Sequence, residues 1–253
     1  MTDKIAIVTG AARGIGLATT KLFLEDNWRV AMIDRDYAEL QKAAGELQGA
    51  LPINCDVSIP EQVTEMVSKV REQFGRIDAL INNAGVALFK PLEETDFEGW
   101  RSIMSTNLDG VFLCTQAALG ALKESKGAVV NIASISGLRA STLRVAYGTS
   151  KAAVIHLTKQ LAVELGDFGV RVNCVAPGPV KTKLAEAVHS PEIIKAYYEG
   201  IPLNRSATEL EIAETIVFLC SEKATFITGQ TIAVDGGFDA ADIGLPALRN
   251  SRH

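Results

Sequence analysis

Tyr147 and Lys151 stand four positions apart at the start of a predicted helix. Positions i and i+4 share one face of a helix, so the phenol and the ammonium point the same way. A free tyrosine has a pKa of about 10 and is a poor base at neutral pH, but a neighbouring ammonium favours the phenolate and lowers that pKa. Tyr147 would then exchange a proton with a substrate hydroxyl. Taken alone the pair is common, and a helix-start tyrosine beside a solvated lysine gives the same pattern.

Polar and small residues follow two of the predicted strands. Ser134 comes just after the fifth strand and 13 residues before Tyr147, and residues 82–85 (Asn-Asn-Ala-Gly) end the fourth. Residues at the carboxyl ends of parallel strands line the ligand crevice of an α/β sheet. A hydroxyl there can donate a hydrogen bond to a reacting oxygen as charge develops, and the small residues Ala84 and Gly85 leave room for a cofactor.

Three glycines, Gly10, Gly14 and Gly16, connect the first predicted strand to a helix. Glycine permits positive φ and close backbone approach, so a pyrophosphate can lie on the helix N-terminus. The spacing is G-xxx-G-x-G and differs from the common G-x-G-x-x-G fingerprint. A tight strand-to-helix turn is the alternative interpretation, but the first strand of an alternating α/β chain is where a cofactor loop is expected.

Asp34 ends the second predicted strand, 18 residues after Gly16. A carboxylate there can accept hydrogen bonds from the adenosine ribose, and it would repel the 2′-phosphate of NADP. Arg13 and Arg35 either reach such a phosphate or face solvent. We expect NAD in preference to NADP, because an unpaired carboxylate close to a phosphate is unfavourable.

These residues depend on a regular alternation of strands and helices. Short apolar runs predict strands at residues 5–8, 30–33, 51–53, 79–81, 128–132, 170–175 and 231–234. Amphipathic segments predict helices near residues 15–25, 37–47, 61–73, 101–123, 147–165 and 209–219. Seven strands alternating with helices predict a doubly wound parallel sheet with right-handed crossovers. In the fifth helix, a four-residue repeat predicts a stripe that faces the core: Ala153, Leu157, Leu161 and Leu165.

The chain is predicted to form one domain over residues 1–253, because no Gly-, Ser- or Pro-rich linker and no internal repeat divides it. Residues 177–208 form an insertion whose length is typical of a substrate lid. A small helical pair packed on the sheet is the structural alternative for this segment. The tail, residues 238–253, either crosses to a partner subunit or frays.

Composition and charge exclude several classes of protein. Hydrophobic residues make up 47% of the chain and charged residues 22%, which is typical of a folded globular protein. A net charge of -5 gives no indication of a nucleic-acid partner. No apolar run is long enough for a membrane span, and the N-terminus has neither a signal nor a transit peptide, so we expect a cytoplasmic protein. The cysteines are scattered, so we expect no metal site: Cys55, Cys114, Cys174 and Cys220.

Several motifs occur together and in order: the glycine loop, residues 82–85, Asn107, Ser134, Tyr147 with Lys151, and Pro177 with Gly178. In this combination the sequence resembles the short-chain dehydrogenase/reductase family, in its shorter, NAD-preferring branch, over residues 4–237. The resemblance implies a single-domain Rossmann fold with a seven-stranded parallel sheet in the order 3-2-1-4-5-6-7 and helices on both faces. It also implies a homotetramer.

The same resemblance implies roles for four catalytic residues. Tyr147 would be the general acid and base, and Lys151 would lower its pKa and hydrogen-bond the nicotinamide ribose. Ser134 would orient the substrate oxygen. Asn107 would hold a water that links Lys151 to a proton relay.

A larger set of residues would contact the cofactor. Asp56 resembles the family's contact to adenine, Thr182 its contact to the nicotinamide carboxamide, and Asp34 the acidic residue of NAD-preferring members. The full set of expected contacts is Gly10, Arg13, Gly14, Ile15, Gly16, Asp34, Arg35, Asp56, Val57, Asn83, Ala84, Gly85, Tyr147, Lys151, Pro177, Gly178, Val180 and Thr182.

A small-molecule substrate is expected between Ser134, Tyr147, residues 87–89 and the lid. The candidate contacts are Ser136, Arg139, Arg144 and Tyr197. An arginine at a pocket mouth suits a carboxylate or a phosphate, but a surface or subunit-interface arginine is the more common situation.

The sequence therefore predicts an NAD(H)-dependent oxidoreductase that interconverts a secondary alcohol (a polyol, hydroxy acid, cyclic alcohol or sugar alcohol) and its ketone. One alternative is an NADP(H)-dependent carbonyl reductase. Another is a non-catalytic relative that senses dinucleotides, although it would be expected to lack part of the tetrad. An epimerase of the extended branch would require a longer chain and a TGxxGxxG loop.

Overall fold

Seven short strands form one parallel sheet in the computed structural model, which describes residues 3–181 and 190–241. The strands are β1 (Ile5–Thr9), β2 (Arg29–Asp34), β3 (Ala50–Asn54), β4 (Ala79–Asn82), β5 (Ala128–Ile132), β6 (Arg171–Pro177) and β7 (Thr231–Val234). Their order is β3-β2-β1-β4-β5-β6-β7, and every neighbouring pair is parallel. The predicted sheet and its strand order are confirmed.

Helices connect the strands. They are α1 (Gly14–Glu25), α2 (Tyr37–Ala44), α3 (Pro60–Phe74), α4 (Phe97–Met104), α5 (Gly110–Ser125), α6 (Ile135–Leu138), α7 (Val145–Leu165), α8 (Pro191–Gly200) and α9 (Glu209–Cys220). Short 3-10 turns lie at Leu92–Glu94, Gly166–Phe168 and Glu222–Ala224. The helix predicted near residues 101–123 is longer than expected and is interrupted by a π-helical turn, Ser105–Asp109, between α4 and α5.

Apolar cores lie on both faces of the sheet. Alternate residues of a strand point to opposite faces, so Ile5 and Ile7 of β1 pack into one core while Ala6 and Val8 pack into the other. Helices α3 and α5 cover the first core, and α1 and α9 cover the second. Because helices cover both sides, β1, β4 and β5 are buried along their whole length and are largely apolar.

The predicted core-facing stripe of α7 is confirmed for three of its four residues. Leu165 is buried in one core, and the half-buried Leu157 and Leu161 pack against core clusters, whereas Ala153 is half-buried and belongs to no core cluster. The face toward the sheet carries smaller and polar side chains, among them Ser150, Lys151, Val154, Thr158 and Ala162. This polar face is tolerated because its members are hydrogen-bonded, as between Asn131 Nδ2 and Thr158 Oγ1 at 2.9 Å.

The predicted lid is described in part. Helix α8 lies within it, and a parallel bridge between Val180 and Ala207 ties its two ends together. Residues 182–189, which include the predicted lid residues Leu184, Val188 and His189, lie outside the described residues, as do residues 242–253 of the tail. None of the described helices is both long and apolar enough to cross a membrane.

Candidate active site

The candidate site lies at the carboxyl edge of the sheet, where the strand order reverses between β1 and β4. Ligands of open α/β sheets bind at such a switch point. A cavity of about 370 Å³ opens here, and its wall includes Gly85, Ser134, Tyr147, Lys151 and Gly178. The fold thus brings together residues that follow β4, β5 and β6 and residues from the start of α7.

Lys151 is buried, with 4% of its surface exposed, and its Nζ donates a hydrogen bond to the carbonyl of Ile132 at 2.7 Å. Burial lowers the pKa of this ammonium to about 8. A Cβ placed on Gly85 would lie 3.5 Å from Lys151 Nζ and 3.4 Å from Asn107 Oδ1, so the backbone after β4 passes close to both side chains. The ammonium therefore lies in a confined site beside the backbone of Ile132 and Gly85.

Asn107 lies in the π-helical turn and is completely buried. Its Oδ1 accepts a hydrogen bond from Val86 N at 2.8 Å, and its Nδ2 donates to Val86 O at 2.9 Å and to Ser150 Oγ at 3.1 Å. π-Helical turns are frequent at functional sites because they re-aim one side chain. The Asn107 amide fastens the loop after β4 to α7, while its expected role in holding a water stays a prediction.

The surroundings of Tyr147 disfavour the charged form of its phenol. Burial raises the pKa of its phenol, and this outweighs the opposing effects of a hydrogen bond with Ser134 and the charge of Arg144. The Lys151 ammonium lies 5.8 Å from the centroid of the Tyr147 ring and makes its hydrogen bond to a carbonyl instead. In the protein without a bound cofactor, desolvation of the phenolate therefore dominates the pKa of Tyr147, and the expected effect of Lys151 on that pKa stays a prediction.

Glycines are required in the loop after β1. Gly10 and Gly14 have φ values of +65° and +62°, in the left-handed region. A Cβ on Gly10 would lie 2.9 Å from the Cα of Ala84, and one on Gly16 would lie 2.1 Å from the carbonyl oxygen of Gly10. The loop can approach β4 and α1 this closely only because these positions have no side chain.

The N-terminus of α1 fits an anion. Its N-cap residue, Arg13, makes no capping hydrogen bond through its side chain, and the first turn contains no acidic residue. Uncapped N–H groups and the positive end of the helix dipole together favour a phosphate. Ile15 of this helix also lines the cavity that contains Tyr147, so a dinucleotide can extend from the loop to the catalytic candidates.

Thr9 holds this loop against β4, and the sequence analysis missed that role. Its Oγ1 accepts hydrogen bonds from the backbone N–H groups of Asn83 and Ala84, both at 3.0 Å. Asn83 Nδ2 in turn donates to the carbonyls of Thr9 and Gly10 at 2.9 Å and 3.1 Å. This role of Thr9 could have been found from the sequence, because a hydroxyl residue ends a buried strand and directly precedes the first loop glycine.

Asp34 lies beside the loop, as predicted. Its Oδ2 accepts a hydrogen bond from Ala12 N at 3.1 Å, and its Oδ1 accepts one from Asp36 N at 3.0 Å. The two flanking arginines are both engaged by carboxylates: Arg13 forms an ion pair with Asp36, and an Arg35 nitrogen lies 3.8 Å from Asp56 Oδ2. The hydrogen bond from Arg13 is the main reason why the pKa of Asp36 is lowered.

The remaining cofactor candidates occupy varied positions. Val57 is buried and packs against the backbone at Gly110, below the loop surface. Pro177 ends β6, and Gly178 and Val180 follow it along the cavity wall. Thr182 lies outside the described residues.

Three of the four substrate candidates line the cavity, namely Ser136, Arg144 and Tyr197. Arg139 is not among the lining residues, because its guanidinium donates to the carbonyls of Phe238 and Ala241, each at 3.3 Å, and lies 3.5 Å from Asp239 Oδ1. The structure therefore leaves Arg144 as a candidate substrate contact and removes Arg139, whereas the sequence alone gave both. Among the described residues, no group of three or more potential metal ligands is present.

A parallel sheet with a glycine loop at its switch point and a serine, tyrosine and lysine around one cavity defines a dinucleotide-binding oxidoreductase. Residues 10–239 match the family model described as enoyl-(acyl carrier protein) reductase. The chain belongs to the short-chain dehydrogenase/reductase family.

Named relatives cover nearly the whole chain. Meso-2,3-butanediol dehydrogenase of Serratia marcescens is 38% identical over 97% of this chain and 98% of its own. L-fucose dehydrogenase of Bos taurus is 39% identical over 92% of this chain and 88% of its own. The structure of 3-ketoacyl-(acyl-carrier-protein) reductase from Brucella melitensis, complexed with NADH, has a TM-score of 0.89 and 32% identity over 93% of this chain and 98% of its own.

These relationships establish the general activity. The protein is an oxidoreductase that acts on CH–OH donors, and its cofactor is a nicotinamide dinucleotide.

Proposed function

We propose that the protein is an NAD(H)-dependent dehydrogenase that interconverts a small secondary alcohol and its ketone. The observation that carries the proposal is the grouping of Ser134, Tyr147 and Lys151 around one cavity that also reaches α1 of the glycine loop. The names of two relatives, a butanediol dehydrogenase and a fucose dehydrogenase, support an alcohol substrate.

In this proposal the substrate oxygen lies between the hydroxyl groups of Ser134 and Tyr147. Ser134 donates a hydrogen bond to that oxygen as negative charge develops on it, and Tyr147 accepts the hydroxyl proton. An oxidised nicotinamide bound here would supply the hydride acceptor for the carbinol carbon and a positive charge that favours the phenolate. In the reverse direction Tyr147 returns its proton to the carbonyl oxygen.

Lys151 and Asn107 support this chemistry in different ways. The pKa of Lys151, lowered to about 8 by burial, lets its amine gain or lose a proton close to neutral pH. Asn107 holds the backbone at Val86 through two hydrogen bonds and so maintains the narrow space beside Lys151. We propose that Lys151 would hold the nicotinamide ribose and supply or accept protons beside Tyr147, and that Asn107 is a positioning residue for Lys151.

The charges around Asp34 favour NAD over NADP in this proposal. A 2′-phosphate would meet three neighbouring carboxylates, those of Asp34, Asp36 and Asp56. The two nearest arginines are already paired with Asp36 and Asp56, so they would have to leave these partners to bind the phosphate. The region therefore suits an uncharged ribose.

The direct test is a screen of secondary alcohols with NAD+ and NADP+, followed by the rate of NADH or NADPH formation. Tyr147→Phe is then assayed on the best substrate, and NADH binding to the same variant is measured by fluorescence. We expect at least a hundredfold loss of turnover with little change in NADH binding. Wild-type turnover in Tyr147→Phe would refute the assignment of the acid and base, and tighter binding of NADPH than NADH would refute the cofactor assignment.

A further inference from the structure

The cavity beside Tyr147 is positively charged although the chain as a whole is acidic. Its described wall contains three cationic side chains, Arg144, Lys151 and Lys181, and no carboxylate. Lys151 is turned toward the carbonyl of Ile132, and Lys181 is exposed at the rim. Arg144 is the cation that lies on the substrate side of the cavity, with Ser136 and Tyr197.

Neutral groups hold the Arg144 guanidinium in place. Its Nη2 donates to the hydroxyl of Tyr197 at 2.8 Å, its Nη1 lies 3.5 Å from Ser136 Oγ, and its Cζ lies 5.0 Å from the centroid of the Phe89 ring. These contacts orient the guanidinium without neutralising it.

Other arginines near the site are paired with acids. Arg13, Arg139 and Arg205 each lie within 4 Å of a carboxylate, whereas no carboxylate among the described residues lies that close to Arg144. Arg144 is also the N-cap residue of α7, a 21-residue helix whose first turn contains no acidic side chain. The positive end of this helix adds to the charge of the guanidinium at the same point.

Phe89 neighbours both Arg144 and Tyr147, the residue beside which the reacting oxygen would lie. Its ring centroid is 6.4 Å from that of Tyr147 and 5.0 Å from Arg144 Cζ. A substrate can therefore reach both groups with a short carbon chain that packs on the Phe89 ring. A planar, singly charged carboxylate suits one guanidinium with neutral hydroxyl neighbours.

We propose that the substrate is a short hydroxy acid whose carboxylate binds Arg144 while its hydroxyl lies between Ser134 and Tyr147. This inference rests on the proposed function. The reaction converts the hydroxy acid and NAD+ into the oxo acid, NADH and one proton, and leaves the carboxylate unchanged. Tyr197 acts as a positioning residue, because its hydroxyl holds the guanidinium that would bind the carboxylate.

The test compares short hydroxy acids with their amides, which have the same carbon skeleton without the charge. With the wild-type enzyme we expect kcat/KM to be at least tenfold higher for the acid than for the amide. Arg144→Gln should lower kcat/KM for the acid at least tenfold more than kcat/KM for the amide, mainly through KM, so that the preference for the acid is lost. Arg144→Lys should recover part of the loss, because it restores the charge without the planar fork.

A matched control removes the same charge at the opposite edge of the sheet. Arg71 lies near the C-terminal end of α3, is exposed, and pairs with Glu124. Arg71→Gln should leave the preference for the acid unchanged. Tyr197→Phe should raise KM for the acid several-fold with little effect on kcat, which separates positioning from loss of the fold.

Binding to the enzyme–NADH complex, followed by calorimetry, separates failure of this inference from failure of the proposed function. Turnover of neutral alcohols with equal kcat/KM for acid and amide would reject the carboxylate site and retain the dehydrogenase. Binding of acids that requires Arg144, without turnover of any alcohol, would retain the site and reject the dehydrogenase. If no hydroxy acid binds or reacts, or if Arg71→Gln abolishes the preference as well, the carboxylate site is rejected.

Discussion

The Lys151 ammonium is buried in the fold. No carboxylate among the described residues pairs with it. Burial lowers its pKa from 10.5 to about 8, so between these values the unfolded chain binds more protons than the folded protein. Stability therefore rises with pH across this window. The raised pKa of Tyr147 makes stability fall as pH rises, but only above about pH 10, because the phenol of the unfolded chain loses its proton before that of the folded protein.

The first prediction concerns this titration. In the cofactor-free protein, the free energy of unfolding of the wild type minus that of Lys151→Met should increase by about 2 kcal/mol between about pH 7.5 and about pH 9.5. Urea unfolding at a series of pH values measures the difference. A difference that stays constant or falls over this range would contradict a lowered Lys151 pKa.

The second prediction concerns cofactor choice. Asp34→Asn keeps an oxygen that can accept from Ala12 N, loses the acceptor for the exposed Asp36 N, and removes the negative charge beside the loop. We expect the ratio of kcat/KM for NAD+ to that for NADP+ to fall at least tenfold. Asp36→Asn should also raise the activity with NADP+, because it releases Arg13 from its ion pair. An unchanged ratio in both variants would show that these carboxylates do not determine the preference.

Among the elements, α7 carries both Tyr147 and Lys151, and polar contacts attach it to the sheet. Asn131 of β5 accepts from Asn82 Nδ2 at 2.8 Å and donates to Thr158 Oγ1 at 2.9 Å. All three side chains are buried. Since a buried amide without a partner destabilises a fold, this network fixes how α7 lies on the sheet.

The third prediction tests that attachment. Thr158→Val removes the acceptor of Asn131 with little change in shape and should lower the free energy of unfolding by about 1–3 kcal/mol. Thr64→Val is the matched control. In both threonines the hydroxyl donates to the backbone carbonyl four residues earlier, but Thr64 lies on the exposed face of α3. Chemical denaturation compares the two. Equal effects would mean that the buried network adds nothing beyond the intrinsic preference of the helix.

At the level of the whole molecule, several apolar side chains remain exposed on helices that flank the sheet. Phe112 of α5 is 46% exposed, Val163 of α7 is 80% exposed and Phe218 of α9 is 40% exposed. Each of these positions would suit a subunit contact, because burying an exposed apolar side chain against a partner is favourable. The homotetramer that the family resemblance leads us to expect stays a prediction.

The fourth prediction is that the protein is a tetramer in solution. Light scattering should give a mass four times the 27.0 kDa of one chain. Val163→Glu should shift this mass toward smaller species, because a charge cannot be buried in an apolar interface without a partner. Glu164→Gln, at the neighbouring exposed position, serves as the control. A monomeric wild type would contradict the prediction.

Much of the fold was readable from local patterns. The strands are short apolar runs because a sheet covered on both faces leaves no polar side to alternate with, and the glycines of the loop mark backbone that no other residue could form. The stripe predicted for α7 gave only part of its buried face, because hydrophobic periodicity does not reveal that the sheet beneath offers Asn131 as a partner for Thr158. The carbonyl of Ile132 that holds Lys151 was missed, since a backbone acceptor has no signature in the sequence.

The sequence by itself determined the alternation of strands and helices, the glycine loop and the residue types of the catalytic candidates, because these depend on neighbours in the chain. The strand order was expected only from the resemblance to the family. Only the tertiary structure decided which of the two candidate arginines can bind a substrate. Arg139 is bound by residues near position 240, about a hundred positions away, whereas Arg144 faces the cavity with neutral neighbours. It also decided that burial raises the pKa of the Tyr147 phenol. Both outcomes depend on distances and desolvation, which arise only when distant segments of the chain come together.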